Sequence, residues 1–461
     1  MTPTYSSTKL LASVICLTGI GLFFVPTPAR MPAGITSTAG VIVICIGLWA
    51  TTLVPVYFTS IVFFFLAVTI AGAAPKVVFA GFSSAAVWLV FGGLVIARAV
   101  QITGLGARIA TSTVGYFDGS YYSLLARIVL TAALMGFLMP SNMGRILVLL
   151  PIFLSMGETL GFEPGDNGRI GITLAVAGGS LYPGFGILTA GVPNIVLLGA
   201  AESLHDVQIS YGEYFLMHFP VISIVSIIAL PLIIKALFPA VPRPAPSRTQ
   251  ATPWRREERN LLFMLVLTLA LWVTDTLHGV SPAWVAMGAA ILCLLPGVGS
   301  LPPTALIGQI NLGPWFFMAG IIGMGSVVAA SGLGDVIGGW LFATFTLTPG
   351  NDLLNFAAVS AIGMIVSIAA TVPGEPVIMA TLANNISAAT GWTIDTALLT
   401  RVTNWPMAPF PYELPTFVVA AQLAGVHLVR VMPLLAAMTL LAWVVILPLQ
   451  FAWLKFLGYF G

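Results

Sequence analysis

Apolar runs long enough to cross a bilayer recur at residues 9–27, 35–53, 54–73, 83–102, 212–238, 258–277, 281–299, 311–331 and 428–456. A spanning helix needs about 20 mainly apolar residues, so each run predicts one crossing. Two longer stretches, 121–203 and 353–425, are as apolar but are broken by Gly, Pro, Asn and charged residues. Each predicts a re-entrant hairpin (about 121–158 and 353–392) followed by a broken helix (about 168–203 and 394–425). The fold class that follows is all-α: a polytopic membrane protein of about 11 transmembrane helices plus two re-entrant hairpins. The first run, Leu10 to Val25 behind Lys9, also has the layout of a secretory signal peptide. Long apolar segments follow it at once, so it reads as the first membrane helix.

One polar linker, 239–259, interrupts this pattern and carries Arg243, Arg248, Arg255, Arg256 and Arg259. Arginines close to helix ends mark the cytoplasmic side. Six crossings before the linker then place the N-terminus in the cytoplasm, and five after it place the C-terminus outside. Arg98, Arg108, Arg127, Arg169, Lys235 and Arg430 fall inside on this count, and Arg30, Lys76, Arg401 and Lys455 outside.

The linker also separates two similar halves, 1–238 and 260–461. Thr103-Gly104-Leu105-Gly106 corresponds to Ser331-Gly332-Leu333-Gly334, and Met139-Pro140-Ser141-Asn142 to Val372-Pro373-Gly374-Glu375. Val192-Pro193-Asn194-Ile195 corresponds to Leu414-Pro415-Thr416-Phe417. The offsets are roughly 220 to 235 residues in the same order, and internal repeats with discontinuous helices point to a transporter's site. With the first helix outside the repeat, each unit has five crossings, and an odd number inverts the second copy.

Composition supports the membrane reading. Of 461 residues 58% are hydrophobic and only 7% charged, against about 25% charged in soluble domains. The net charge of +2 is too small and dispersed for a nucleic-acid partner. Cys16, Cys45 and Cys293 each lie alone in apolar runs and read as packing residues, without disulfide or metal spacing. His205, His218, His278 and His427 fall near predicted helix ends, and Trp272 and Tyr459 read as interface anchors.

The chemistry concentrates at the breaks. The first tip, Pro140-Ser141-Asn142-Met143-Gly144-Arg145, offers free amides at a helix start, suited to an anion, and free carbonyls, suited to a cation. Arg145 is a cation in an apolar run and is expected to be paired or functional. It either holds a substrate carboxylate, pairs with Glu375 or Glu413, or snorkels to the interface. At the second tip, Glu375 follows Gly374 and is read as a coupling or gating carboxylate, with pairing to Arg145 or capping of the returning helix as alternatives. The stretches Gly178–Gly186 and Thr189–Asn194 in one half, and Thr403–Pro406 and Pro409–Thr416 in the other, read as unwound. They present Gly186, Pro193, Asn194, Glu413 and Thr416. Asn194 and Thr416 serve as ligands or as helix caps.

These residues resemble the divalent anion:sodium symporter family. The resemblance lies in Gly81-Phe82-Ser83 through Trp88-Leu89-Val90-Phe91, Thr103 through Ala110, Pro140-Ser141-Asn142 through Leu150-Pro151-Ile152, and Gly191-Val192-Pro193-Asn194. In that family Ser-Asn-Thr tips bind substrate carboxylates and, with the unwound loops, form two sodium sites. Here the first tip keeps Ser141 and Asn142 of that pattern, and the second, Gly374-Glu375-Pro376, keeps none. The resemblance carries these roles over to Ser141, Asn142 and Asn194. With the residues read above, the expected substrate contacts are Ser141, Asn142, Met143, Arg145, Pro193, Asn194, Gly374, Glu375 and Thr416. The expected ion-coupling residues are Ser141, Asn142, Gly186, Asn194, Glu375 and Glu413, with sodium at Ser141, Asn142, Gly186 and Asn194. The resemblance further implies a homodimer working as an elevator, with 104–115 and 333–346 as interfacial arms.

The function expected is secondary transport of a small anion, a di- or tricarboxylate above all, driven by Na+ or H+, with no cofactor and no catalysis. A proton-coupled or exchange carrier for sulfate, a sulfonate or an amino acid is the alternative within transport. A membrane-embedded enzyme or a channel is the alternative outside it. The bacterial inner membrane is the expected location.

Overall fold

Prolines, hydroxyls and a few glycines decide where the helices begin and end. Pro193, Pro282, Pro314, Pro376 and Pro415 each occupy the first turn of a helix, where a missing N–H costs nothing. Ser84, Ser141, Ser210 and Thr393 accept hydrogen bonds from backbone amides two or three residues on, satisfying donors that the helix leaves free. The computed structural model describes residues 5–28, 31–51, 53–114, 119–242 and 253–460, and among these all regular structure is helical. Arg30, Arg243 and Arg248, counted above for orientation, lie outside the described residues.

Among the described residues six helices are long and apolar enough to cross a membrane: Ala85–Thr103, Tyr121–Leu138, Tyr211–Leu237, Gly313–Ala330, Asp352–Ala370 and Leu428–Phe456. Tyr5–Leu22, Ile35–Thr51, Val56–Thr69 and Arg256–Val273 match other predicted runs. The run 281–299 is helical only over Pro282–Leu294. Leu295 precedes Pro296, whose ring disfavours helical backbone at the residue before it.

Two of the long helices contain a widened π-turn, at Phe219–Ser223 and at Ala442–Ile446. Pro220 donates no amide to the first, and the ring of Pro448 crowds the carbonyl of Val444 in the second.

The helices pack as two groups. One contains Tyr5–Leu22, Ile35–Thr51, Val56–Thr69, Ala85–Thr103, Arg256–Val273, Pro282–Leu294 and Gly313–Ala330. Lipid offers no hydrophobic drive for this packing, so close approach through small residues must supply it. A Cβ on Gly92 would stand 2.7 Å from the Ala286 backbone, which is how tightly those two helices cross. The other group contains Tyr121–Leu138, Asn142–Thr159, Asn167–Leu181, Tyr211–Leu237, Asp352–Ala370, Pro415–Ala424 and Leu428–Phe456. Val192–His205 and Glu375–Thr381 lie against each other and against the first group.

The chain doubles back twice, after Tyr121–Leu138 and after Asp352–Ala370. Tyr121, at the start of Tyr121–Leu138, meets Phe162, just past the end of Asn142–Thr159, with ring centroids 5.9 Å apart. Asp352, at the start of Asp352–Ala370, accepts a 2.8 Å hydrogen bond from Trp392 Nε1 beyond the returning arm. Each pair of arms is therefore a closed helical hairpin. Cys45 and Cys293 are buried as expected, whereas Cys16 is only half-buried. Trp272 is no interface anchor: it is 2% exposed, stacks on Tyr211 and bonds the carbonyl of Pro282. His218 is likewise fully buried, against Tyr214 and Gln450.

Candidate functional site

The first tip is the extended stretch 139–141. Met139 precedes Pro140 and takes φ −132°, ψ 96°, which ends Tyr121–Leu138, and Ser141 then caps Asn142–Thr159. One turn inside that helix Arg145 is completely buried. Its guanidinium donates to the carbonyls of Met139 (2.6 Å), Ser180 (2.6 Å) and Ala190 (3.0 Å), and to the side-chain oxygen of Asn142. Ser180 and Ala190 flank the first break, so one cation staples tip and break together. This corrects two expectations. Arg145 does not snorkel, and among the described residues it pairs with neither Glu375 nor Glu413; the ion pairs there are Arg108–Glu258 and Arg169–Glu158.

The first break is shorter than its glycines suggested. Asn167–Leu181 runs through Gly178 and Gly179 before the tight turn Pro183–Gly186. Gly179 serves close packing, since a Cβ there would stand 2.9 Å from Val129 Cα. After the break Val192–His205 begins, with Pro193 buried in its first turn. Asn194 is fully buried, and its Nδ2 donates to the carbonyls of Gly184 (2.8 Å) and Ile187 (2.7 Å) while its Oδ1 has no partner. It acts as an internal tie of the unwound loop. Gly191 lies between Asn142 and Asn194: a Cβ there would be 3.2 Å from Asn142 Nδ2 and 3.4 Å from Asn194 Oδ1. Gly186 faces the π-turn, where a Cβ would collide with Ser223 Oγ and the Phe219 backbone. Ser141, Asn142 and Met143 are half-buried at the tip surface.

The second tip, 371–374, is held differently. Thr371 has φ +66° and ψ 160°, a region that only glycine adopts without strain. The amide of Val372 donates to the carbonyl of Glu413 at 3.1 Å, and the Tyr412 hydroxyl to the carbonyl of Ile368 at 2.8 Å, so this tip too is tied to the break of its own half. Glu375 opens the returning helix, fully buried, and its Oε2 accepts a 2.8 Å bond from Trp405 Nε1. Its Oε1 has no partner.

The second break begins at Thr400, earlier than the expected Thr403, with the tight turn Thr400–Asn404. Arg401, placed outside by the crossing count, is instead completely buried in this turn. It donates to the carbonyl of Val359 at 3.1 Å and stands within electrostatic reach of Glu375. Glu413 is buried further along, with Oε1 accepting from the amide of Phe410 at 3.0 Å. Thr416 sits in the first turn of Pro415–Ala424, 7% exposed.

Aromatic rings join the two breaks. Phe185 meets Trp405 at 5.7 Å and Tyr182 meets Phe417 at 6.0 Å. The predicted residues therefore form two clusters. Ser141, Asn142, Arg145, Pro193 and Asn194 gather at the first break, and Gly374, Glu375, Glu413 and Thr416 at the second. Phe185, Trp405 and Glu375 form the path between them. Ser180, Ala190 and Trp405 lie in stretches read as unwound and Thr371 in the second tip, but neither they nor Arg401 were assigned to the site. Arg401 carried the signal that singled out Arg145, a cation in an apolar run, and only the orientation count hid it. Among the described residues no group of three His, Cys, Asp or Glu is arranged to hold a metal ion.

An all-helical, apolar membrane protein with two hairpins tied to two facing helix breaks is the class that fold and site define. The chain belongs to the family of the sodium:sulfate symporter transmembrane region, whose model matches residues 5–394. It is 28% identical over 312 residues to a protein named putative malate transporter YflS from Bacillus subtilis, covering 63% of each chain. It is 30% identical over 239 residues to dicarboxylate transporter 2.2, chloroplastic, from Arabidopsis thaliana, covering 48% of this chain and 42% of that one. It is 28% identical over 212 residues to an L-tartrate/succinate antiporter from Escherichia coli K12, covering 42% of each. The chain spans about half the length of the curated relatives it matches.

Proposed function

We propose that this protein is a secondary active transporter of small anions, di- or tricarboxylates above all, coupled to sodium or protons. The observation that carries this reading is the pairing of each hairpin tip with the helix break of its own half, with the two breaks facing each other. Such discontinuous helices offer helix N-termini to an anion and loosened carbonyls to a cation. The names of the relatives, malate, tartrate, succinate and dicarboxylate, support the substrate class.

In this reading 1–238 and 260–461 are inverted repeats. The hairpin group is the moving portion, and the early helices of each half are the fixed one. Leu105–Val114 and Leu333–Thr344 serve as the arms. The protein works as a homodimer in the bacterial inner membrane, N-terminus cytoplasmic, with a coupling ion, no cofactor and no chemistry on its substrate. Ser141, Asn142, Met143 and Gly374 at the tips and Asn194 and Thr416 at the breaks contact the anion.

Arg145 favours one form of coupling. Its guanidinium already occupies four oxygens at the first tip and break. A sodium ion there would have to displace a fixed charge, so proton coupling or exchange fits that half better. Uptake of labelled C4–C6 carboxylates into proteoliposomes under imposed sodium or proton gradients tests the proposal. Uptake driven by a proton gradient or by internal carboxylate is expected, and no uptake under any gradient would overturn it.

A further inference from the structure

Glu375 and Arg401 are opposite charges, both with no solvent exposure, on the returning arm of the second hairpin and in the turn of the second break. Neither residue belongs to a Ser-Asn-Thr tip, and no carboxylate–guanidinium contact within 4 Å joins them among the described residues. Each is half-held from elsewhere. Trp405 occupies Glu375 Oε2, and the Val359 carbonyl occupies Arg401 Nη1. Each keeps a free valence: Glu375 Oε1 on one side, Arg401 Nε and Nη2 on the other. Around them Ser360 and Thr403 are buried with hydroxyls that have no partner, and the buried Asn404 amide stands beside Glu375.

A buried charge without compensation is costly, and two opposite ones are tolerable only while each offsets the other. That balance can be tipped by one proton. We infer that Glu375 is the proton-binding group of this transporter and that Arg401 is its internal counter-charge, so that protonation of Glu375 releases Arg401 to hold the anion. The inference rests on the transport reading above.

The steps balance simply. A proton from the side to which the site is open binds Glu375 at Oε1, Oε2 staying on the indole N–H. The carboxylate becomes a neutral acid and the guanidinium is left as a net positive charge. One carboxylate of the substrate then supplies the missing negative charge, and proton and anion travel together. Loss of the proton on the other side restores the internal pair and expels the anion.

The other titratable groups on the elements packed near Glu375 are few. Gly313–Ala330 and Ala383–Thr390, packed near its helix, contain no titratable side chain. On Val192–His205, His205 bonds the Ala380 carbonyl and Glu202 bonds Ser84 and Ala85. Asp352 on Asp352–Ala370 bonds Trp392, and Asp335 lies in the first turn of Leu333–Thr344. Glu413, beside the tip, accepts from the Phe410 amide, and Tyr412 bonds the Ile368 carbonyl. Arg401, in the turn Thr400–Asn404, is the opposite charge that stands within electrostatic reach of Glu375.

The test uses the full-length protein in proteoliposomes, with labelled succinate and malate as probes. Acidifying the outside should speed wild-type uptake at least tenfold. In Glu375→Gln, uptake and counterflow should become independent of pH, while Glu375→Asp should keep a pH response. Arg401→Gln should raise KM at least tenfold, with Arg401→Lys in between. Indole fluorescence provides a reading that needs no transport. Acidification should change the wild-type signal, and that change should vanish in both Glu375→Gln and Trp405→Phe, each checked for folding by size exclusion. Wild-type pH dependence surviving in Glu375→Gln, or an unchanged KM in Arg401→Gln, overturns the inference. A wild type that takes up neither probe overturns the transport reading instead. In that case the fluorescence response, lost or kept in Glu375→Gln, still decides whether this carboxylate binds the proton.

Discussion

The Arg145 guanidinium donates to the Ser180 carbonyl at 2.6 Å, joining a hairpin tip to the last turn before a helix break 35 residues on. With the Met139 and Ala190 carbonyls and Asn142 also engaged, this one side chain satisfies groups that unwinding exposed. Arg145→Gln should therefore act on stability first. Leaving a buried acceptor without its donor costs about 1–3 kcal/mol, and Arg145 serves several, so thermal unfolding in detergent should fall by several degrees, and Arg145→Lys should recover only part. An Arg145→Gln protein with wild-type unfolding and weakened anion affinity would mean that the residue serves the substrate instead.

Two carboxylates hold helix starts on neighbouring elements. Glu202 Oε2 accepts from Ser84 Oγ (3.1 Å) and the Ala85 amide (3.0 Å), while Asp275 Oδ2 accepts from the Tyr211 amide (2.6 Å). Glu202, on Val192–His205, reaches the first packing group, and Asp275 reaches from the first group to Tyr211 in the second. An anion at a helix start contributes about 0.3–1 kcal/mol, more when partly buried. Combined Glu202→Gln and Asp275→Asn changes should weaken this junction by about 1.4 kcal/mol, a factor of about ten. Hydrogen exchange at the Ala85 and Tyr211 amides should speed up accordingly, and unchanged protection would dismiss the latch.

Thr371 carries the unusual backbone of the second tip, φ +66° and ψ 160°. Holding a β-branched residue there costs about 1–3 kcal/mol, and glycine returns about 0.5–1 kcal/mol of this as unfolded-state entropy. Thr371→Gly should raise the unfolding temperature modestly, and Thr371→Ala, which keeps the Cβ, should not. A lower unfolding temperature for the glycine variant would remove the argument for strain.

Gly186 lies against the π-turn of Tyr211–Leu237, where an added Cβ would stand 2.8 Å from Phe219 Cα and 2.9 Å from its amide nitrogen, besides striking Ser223 Oγ. Gly186→Ala should cost about 1–3 kcal/mol through overpacking. Trimming Ser223 to alanine should not rescue it, because the Phe219 backbone remains. Full rescue in the double variant would place the whole clash on the serine.

Several elements could be read directly from residue order. Pro140, Pro376 and Pro415 lack an amide hydrogen and carry a ring, so helix ends near them follow from local sterics. Ser141 before the returning arm is a hydroxyl at a helix start, and its cap to Gly144 needs no tertiary partner. The start of the first break was misplaced because glycine has two uses. Gly178 and Gly179 were read as helix breakers, but Gly179 lies where Val129 comes within Cβ distance, and only a neighbouring helix can make that difference.

Arg145, Arg401 and Glu375 mark the boundary between the two kinds of knowledge. Hydropathy by itself determined that this chain is an all-helical membrane protein with polar breaks near 140–145, 178–194, 371–376 and 403–416, because transfer of apolar side chains out of water is a local, additive property. Partner choice is not local. Whether a buried guanidinium meets carbonyls, as Arg145 does, or stands opposite a carboxylate, as Arg401 does, depends on which unwound segment folds against which tip. Only the tertiary structure decided that, since the energy of a buried charge is set by everything that surrounds it.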